Sequence, residues 1–245
     1  MMKTVIITKV ESILREMVND IALPITDKPF IEEIKKRLKF QNASDWSLLC
    51  SVMDVLSDTE LAKENFFKYN LSGPTKIQDY GEQYLRLYGI TNAMYLQKSA
   101  IEALVELVKL PNKKKELDRL NETEIVTFRN IVGAHTVNYR DKEKNINPYQ
   151  FQRFFSNDGS IKTQDSNNEF KNYDLKQLIL DFNNVAEDLL IRCLEKLVNS
   201  AYKNQTNTKK EVYLKKINAL KEAASGNIVI WPDSSEELFI IKVRK

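Results

Sequence analysis

The chain is poor in residues that interrupt helices. Six glycines and six prolines are spread over 245 residues. That scarcity argues against a turn-rich all-β fold and favours long helices. Cysteine is nearly absent. Cys50 and Cys193 are far apart and each lies in an apolar helical pattern, so both read as buried free thiols rather than a bridge or a metal pair. His135 is the one histidine. With no zinc-type spacing of Cys and His, a His-rich metal site is excluded. No run of about 18 apolar residues occurs, so no membrane span is expected. Charge interrupts the N-terminal stretch too soon for a secretory signal, and the expected location is cytoplasmic. The formal net charge of +3 is too small to argue a nucleic-acid binder from the whole chain. Neither a phosphate-binding glycine loop nor a G-x-S-x-G nucleophile turn is present.

What is there is globular: 42% hydrophobic and 29% charged residues. Residues 4–22 carry an apolar stripe (Ile6, Val10, Ile13, Leu14, Met17, Val18, Ile21) at helical spacing, ended by Pro24. Pro29 serves as the first residue of a second helix. Its other face carries Lys35, Lys36, Arg37 and Lys39, read as a solvated surface. A third helix opens at Ser44 or Asp45. Ser72-Gly-Pro74 is a break.

Residues 76–110 then read as one long helix, the spine of a bundle. Tyr80, Tyr84, Tyr88 and Tyr95 are assigned to its core face; stacking of RNA bases is the alternative. Gly81 and Gly89 lie on nearly one face of it, which close approach of another helix or a second copy would rationalise; a local kink is the alternative. Pro111 ends the spine, and residues 112–119 form a charged connector. Further on, residues 149–155 alternate as a strand, Asn157-Asp-Gly159 is a turn, and Ile161–Thr163 returns. Asp174 caps a long amphipathic helix. A basic helix ends at Gly226, and a last β-hairpin joins residues 228–231 to 238–243.

The stretch Asn121 to Tyr139 stands out. Asn121-x-x-Glu124 reads as a helix start, a variant capping box. Ile125, Phe128 and Val132 form its apolar face, and Gly133 is a plausible stop. Within it lies Arg129-Asn130-x-x-x-x-His135. This resembles the R-x4–6-H motif of the HEPN superfamily, in which the residue after the Arg is usually Asn, Asp or His. The helix around Tyr88–Ile101 upstream and the long helix downstream are similar to the order in that superfamily, over about residues 76–203.

The resemblance implies an up-and-down helical bundle of HEPN type; the residue patterns add extra N-terminal helices, a small β-hairpin after the motif and a C-terminal β-hairpin, in a mainly α fold. The expected parts are a helical region over 1–72, the HEPN-like bundle over 73–204, and an appendage over 205–245. The implied activity is metal-independent RNA cleavage without a cofactor, in a toxin or abortive-infection (phage-defence) setting.

Such chemistry needs few groups. The 2′-hydroxyl loses a proton as it attacks the adjacent phosphate, and the 5′-oxygen gains one. His135 would move the proton, since an imidazole titrates at about 6.5. Arg129 would stabilise the phosphate with its two-pronged guanidinium, and Asn130 would assist. The products would be a 2′,3′-cyclic phosphate and a 5′-hydroxyl. Lys113, Lys114, Lys115, Tyr139 and Arg140 are candidate RNA contacts. A solvated loop is the competing reading of the three lysines.

Geometry poses a difficulty. Six residues of continuous helix turn about 600°, leaving Arg129 and His135 about 120° apart. A break at Gly133 would relax this, as would a homodimer that faces two motifs across its axis. The superfamily implies the latter, with RNA as substrate and a protein antitoxin as a further partner. The alternative function is a catalytically silent dimeric binding module. A DNA-binding regulator ranks last, because no convincing helix-turn-helix is visible.

Overall fold

A computed structural model describes residues 5–26, 29–75, 78–134, 146, 148–151, 159–203, 208–231 and 239–242. The fold is mainly helical. Its elements run α1 (Val5–Ala22), α2 (Phe30–Leu38), α3 (Asp45–Tyr69), α4 (Tyr80–Leu107), α5 (Lys113–Asn121), α6 (Glu124–Arg129), a π-helical turn (Asn130–Ala134), β1 (Gln150–Phe151), β2 (Ser160–Gln164), β3 (Phe170–Asp174), α7 (Leu175–Ala201), α8 (Thr208–Ala224), β4 (Ile228–Ile230) and β5 (Phe239–Ile241). No described helix is long and apolar enough to cross a membrane.

Two compact units divide the chain. One comprises Met1–Ser57, Ala100–Glu116 and Asn184–Lys245; the other comprises Asp58–Ser99 and Leu117–Asn183. In the first, the apolar stripe of α1 is fully buried, from Ile6 to Ile21. Each such side chain contributes about 1.5–3 kcal/mol by leaving water. Helix α8 lies along α1, where the Tyr213 hydroxyl donates to Asp20 Oδ2 at 2.7 Å and Lys216 Nζ meets Glu16 at 2.7 Å. Pro29 stands one residue before α2, at its N-cap, rather than inside it. Of the basic cluster on α2, Arg37 is used internally, bonding Glu33 at 2.9 Å and the Ile21 carbonyl at 3.1 Å. Cys193 is a fully buried free thiol whose pKa burial pushes up to about 12; Cys50 is half-buried. Helix α8 ends at Gly226 (φ +92°), and β4 and β5 pair antiparallel as expected.

The second unit differs from expectation at several places. Its core contains a polar group that the sequence pattern does not announce. Lys63 on α3 is completely buried and ion-paired with Glu60. It donates to Gln97 Oε1 on α4 (3.0 Å) and to Asn183 Oδ1 on α7 (2.8 Å). Gln97 Nε2 in turn donates to Glu60 Oε1 (2.7 Å) and Thr59 Oγ1 (3.0 Å). A buried ammonium is tolerable because its charge and its protons are matched there.

The tyrosines of α4 are not core. Tyr80, Tyr88 and Tyr95 are exposed and Tyr84 is half-buried. The buried face of α4 instead carries Gln83, Leu87, Ile90, Thr91, Met94 and Gln97. Among the described residues, nothing outside its own helix backbone lies within 4 Å of where a Cβ on Gly89 would stand, so no close helix packing accounts for it.

The charged connector is helix α5, because Glu116 and Leu120 bury one side of it. Asn121 therefore ends α5 and does not cap α6. Thr123 holds the N-cap position of α6 and spends its hydroxyl on the Leu120 carbonyl at 2.7 Å.

The expected hairpin after the motif is a three-stranded antiparallel sheet in the order β1-β2-β3. The added strand is β3, turned by Asp165, whose Oδ1 accepts from the backbone of Asn167 and Glu169, both at 2.9 Å. Asp174 caps α7 as expected, accepting from the Lys176 and Gln177 backbone N–H groups at 2.9 and 3.2 Å.

Candidate functional site

Helix α6 is short and amphipathic. Ile125 and Phe128 are buried, as expected, and Val132 in the turn beyond is buried too. That inner face fixes the outward positions of Arg129 and Asn130, both half-buried. Gly133 does not stop the helix. It lies inside a π-helical turn over Asn130–Ala134. Such turns are uncommon and concentrate at functional sites.

Arg129 and Asn130 are brought together. Arg129 Nη1 donates to Asn130 Oδ1 at 3.2 Å. The Arg129 guanidinium carbon lies 3.9 Å from the centre of the Tyr95 ring on α4. Lys98 Nζ lies 5.3 Å from that ring. Tyr95 thus collects two cations on one aromatic ring, an attraction worth about 0.5–2 kcal/mol per cation. The sequence reading missed Tyr95 in this role by assigning it to the core. The signal was its place in line with Leu85, Tyr88 and Leu96, which are exposed on the same side of α4.

His135, Tyr139 and Arg140 lie outside the described residues. Lys113, Lys114 and Lys115 are exposed in the first turn of α5, within the other unit. Lys113 Nζ is 2.6 Å from Glu106 Oε2. They are therefore not a loop. Three cations at a helix N-terminus oppose the helix dipole, so their placement gains nothing for α5 itself.

The sheet abuts α6. Tyr173 of β3 packs its ring 4.6 Å from that of Phe128, and Lys171 is ion-paired with Glu124. That pairing raises the Lys171 pKa against the opposing effect of burial. Burial raises the Tyr173 phenol. Among the described residues, no three His, Cys, Asp or Glu side chains gather to hold a metal ion. Chemically, the described part of the site offers a fixed guanidinium, a carboxamide beside it and an aromatic platform. That set suits an anion with a planar group attached.

No family model matches the chain, and no curated protein or solved structure matches it either.

Proposed function

We propose that the protein is a HEPN-type, metal-independent endoribonuclease, of the kind used in toxin–antitoxin or phage-defence systems. The observation that carries the reading is Arg129, seated on Tyr95 and bonded to Asn130 at the start of a π-helical turn that leads to His135. A mainly helical fold with a long helix on either side of the motif is consistent with it.

In this reading the 2′-oxygen attacks phosphorus as His135 accepts its proton. The bond from phosphorus to the 5′-oxygen breaks, and that oxygen takes up the proton that His135 accepted, which returns the imidazole to its starting form. Arg129 neutralises the phosphorane and Asn130 donates to it. The products are a 2′,3′-cyclic phosphate and a 5′-hydroxyl.

The reading includes a homodimer with an isologous interface near the motif. Gly81, Leu85, Tyr88, Gly89, Asn92, Tyr95 and Leu96 are exposed along α4 without a charge among them. Charge-poor, tyrosine-bearing patches are typical of interface centres. The same patch favours the second reading, a silent dimeric module that binds but does not cut. An antitoxin protein would be the further partner.

The test is cleavage of total RNA and tRNA in EDTA by wild type, His135→Ala and Arg129→Ala, each checked for fold by circular dichroism. Cleavage lost in both variants supports the nuclease. A folded, inert wild type leaves the binding module.

A further inference from the structure

The outer face of the small sheet has a composition that the proposed chemistry does not use. In β2, Ile161 and Thr163 are buried, while Lys162 and Gln164 alternate with them on the opposite side. The register sets Gln150 of β1 and Phe170 of β3 on either side of Gln164, and Asn172 beside Lys162. Directly paired residues share a face, so one side of the sheet presents Gln150, Lys162, Gln164, Phe170 and Asn172. Phe170 is 61% exposed, which leaves much of its ring open to solvent. Lys162 Nζ lies 4.3 Å from its ring centre. A recess of about 280 Å³ at this edge of the sheet is lined by Gln150, Phe151, Lys162, Thr163, Gln164 and Phe170.

We infer that this face is a subsite for an unpaired RNA base, resting on the reading of the protein as an RNA-cleaving enzyme. An exposed ring supplies stacking, which every base accepts. Carboxamides carry both donors and acceptors, which suit the edge of a base. A lysine beside them suits the phosphate. Of the strand residues in register with this face, Asp174 alone is acidic, and its carboxylate is engaged in capping α7.

The recess is smaller than a drug-sized pocket of about 300–1,000 Å³ and fits one splayed base, not a duplex. The reverse side of the sheet is bound to α6 by the Tyr173–Phe128 contact and the Lys171–Glu124 pair. Phe128 immediately precedes Arg129. A base held on the sheet is thus tied to the helix that carries the phosphate-binding arginine.

The experiment is fluorescence anisotropy of a labelled single-stranded oligoribonucleotide pool, and of the matching duplex, with the full chain carrying His135→Ala to prevent cutting. Phe170→Ala, Gln164→Ala and Lys162→Gln are added singly, and circular dichroism confirms each fold. Phe170→Ala should weaken single-strand binding about five- to 150-fold. Lys162→Gln should flatten the salt dependence, and Gln164→Ala should change which sequences bind. Duplex RNA should bind far more weakly than single strand.

Binding that is unchanged in all three variants, equal for duplex, or absent in the parent overturns the subsite. Cleavage measured in parallel keeps the two readings apart. An enzyme that cuts RNA with an inert sheet loses the subsite alone, whereas a chain that binds RNA through the sheet without cutting loses the nuclease alone.

Discussion

The guanidinium of Arg129 rests on the ring of Tyr95, 3.9 Å from its centre, and the two come from different helices, α6 and α4. An arginine has several rotatable bonds, and an aromatic platform removes much of that freedom before a phosphate arrives. In the proposed nuclease, Tyr95 is therefore a positioning residue.

If the protein cleaves RNA as proposed, Tyr95→Ala should lower kcat by about three- to thirtyfold, the range expected for loss of one cation–π contact. KM should change little. Tyr95→Phe keeps the ring face and should restore most of the rate. A Tyr95→Phe variant as slow as Tyr95→Ala would show that the hydroxyl, not the ring, is what counts.

Lys63 and Glu60 form a buried pair, so removing one partner strands the other. Lys63→Met should cost about 3–5 kcal/mol in urea unfolding. The double variant Lys63→Met with Glu60→Leu should be less destabilised than Lys63→Met alone, because no charge is then left unmatched. A double variant as unstable as the sum of its parts would mean the two residues are not coupled.

If the exposed side of α4 from Gly81 to Leu96 joins two copies, a charge placed at Leu85 should separate them. Wild type is expected to run as a dimer in light scattering, and Leu85→Lys as a folded monomer. Leu85 is 69% exposed in the single chain, so the substitution leaves the protomer core intact. A wild type that stays monomeric at every concentration tested would remove the dimer from the proposal.

Asp20 sits between the Tyr213 hydroxyl at 2.7 Å and Lys209 at 3.2 Å. Burial alone would raise its carboxyl, but these partners outweigh it and hold the group below its ordinary value of 3.8. A carboxyl lowered by folding stabilises the protein above its unfolded value, and the gain disappears as pH falls through the lower folded value. Asp20→Asn should therefore lower the melting temperature at neutral pH, with the gap to wild type closing below about pH 4. A gap that stays constant down to pH 3 would assign the effect to packing instead.

Much of the helical layout is legible in the sequence because it rests on strong local signals. The α1 stripe, the Asp174 cap and the Gly226 stop each act over a few residues. Helix α4 is different. Polar Gln83, Thr91 and Gln97 face the core, while Tyr88, Leu85 and Leu96 face out, so periodicity points to the wrong side. Lys63 was hidden for a related reason. Thr59, Glu60 and Lys63 continue the phase of Leu49, Val52 and Leu56, and polar residues in phase with a core stripe are the mark of a buried pair. Strand β3 carries only Phe170 and Tyr173 among polar neighbours, too little for a strand signal. Within the motif, the pairing of Arg129 with Asn130 rests on adjacency. Its union with Tyr95 depends on how α4 and α6 pack, which spacing along the chain does not encode.

The π-helical turn after Arg129 holds one more residue per hydrogen-bonded loop than an α-helix does. Deleting a single residue between 130 and 134 would let the turn close as ordinary α-helix. Four residues of α-helix rotate about 400°, and a π turn spreads nearly the same rotation over five, so the extra residue is absorbed inside the turn. A gain or loss of one residue there is taken up locally, and α6 with its hold on Tyr95 need not shift. The turn thus acts as a slack link, a place where the length of the chain can change by one while the helix before it keeps its register.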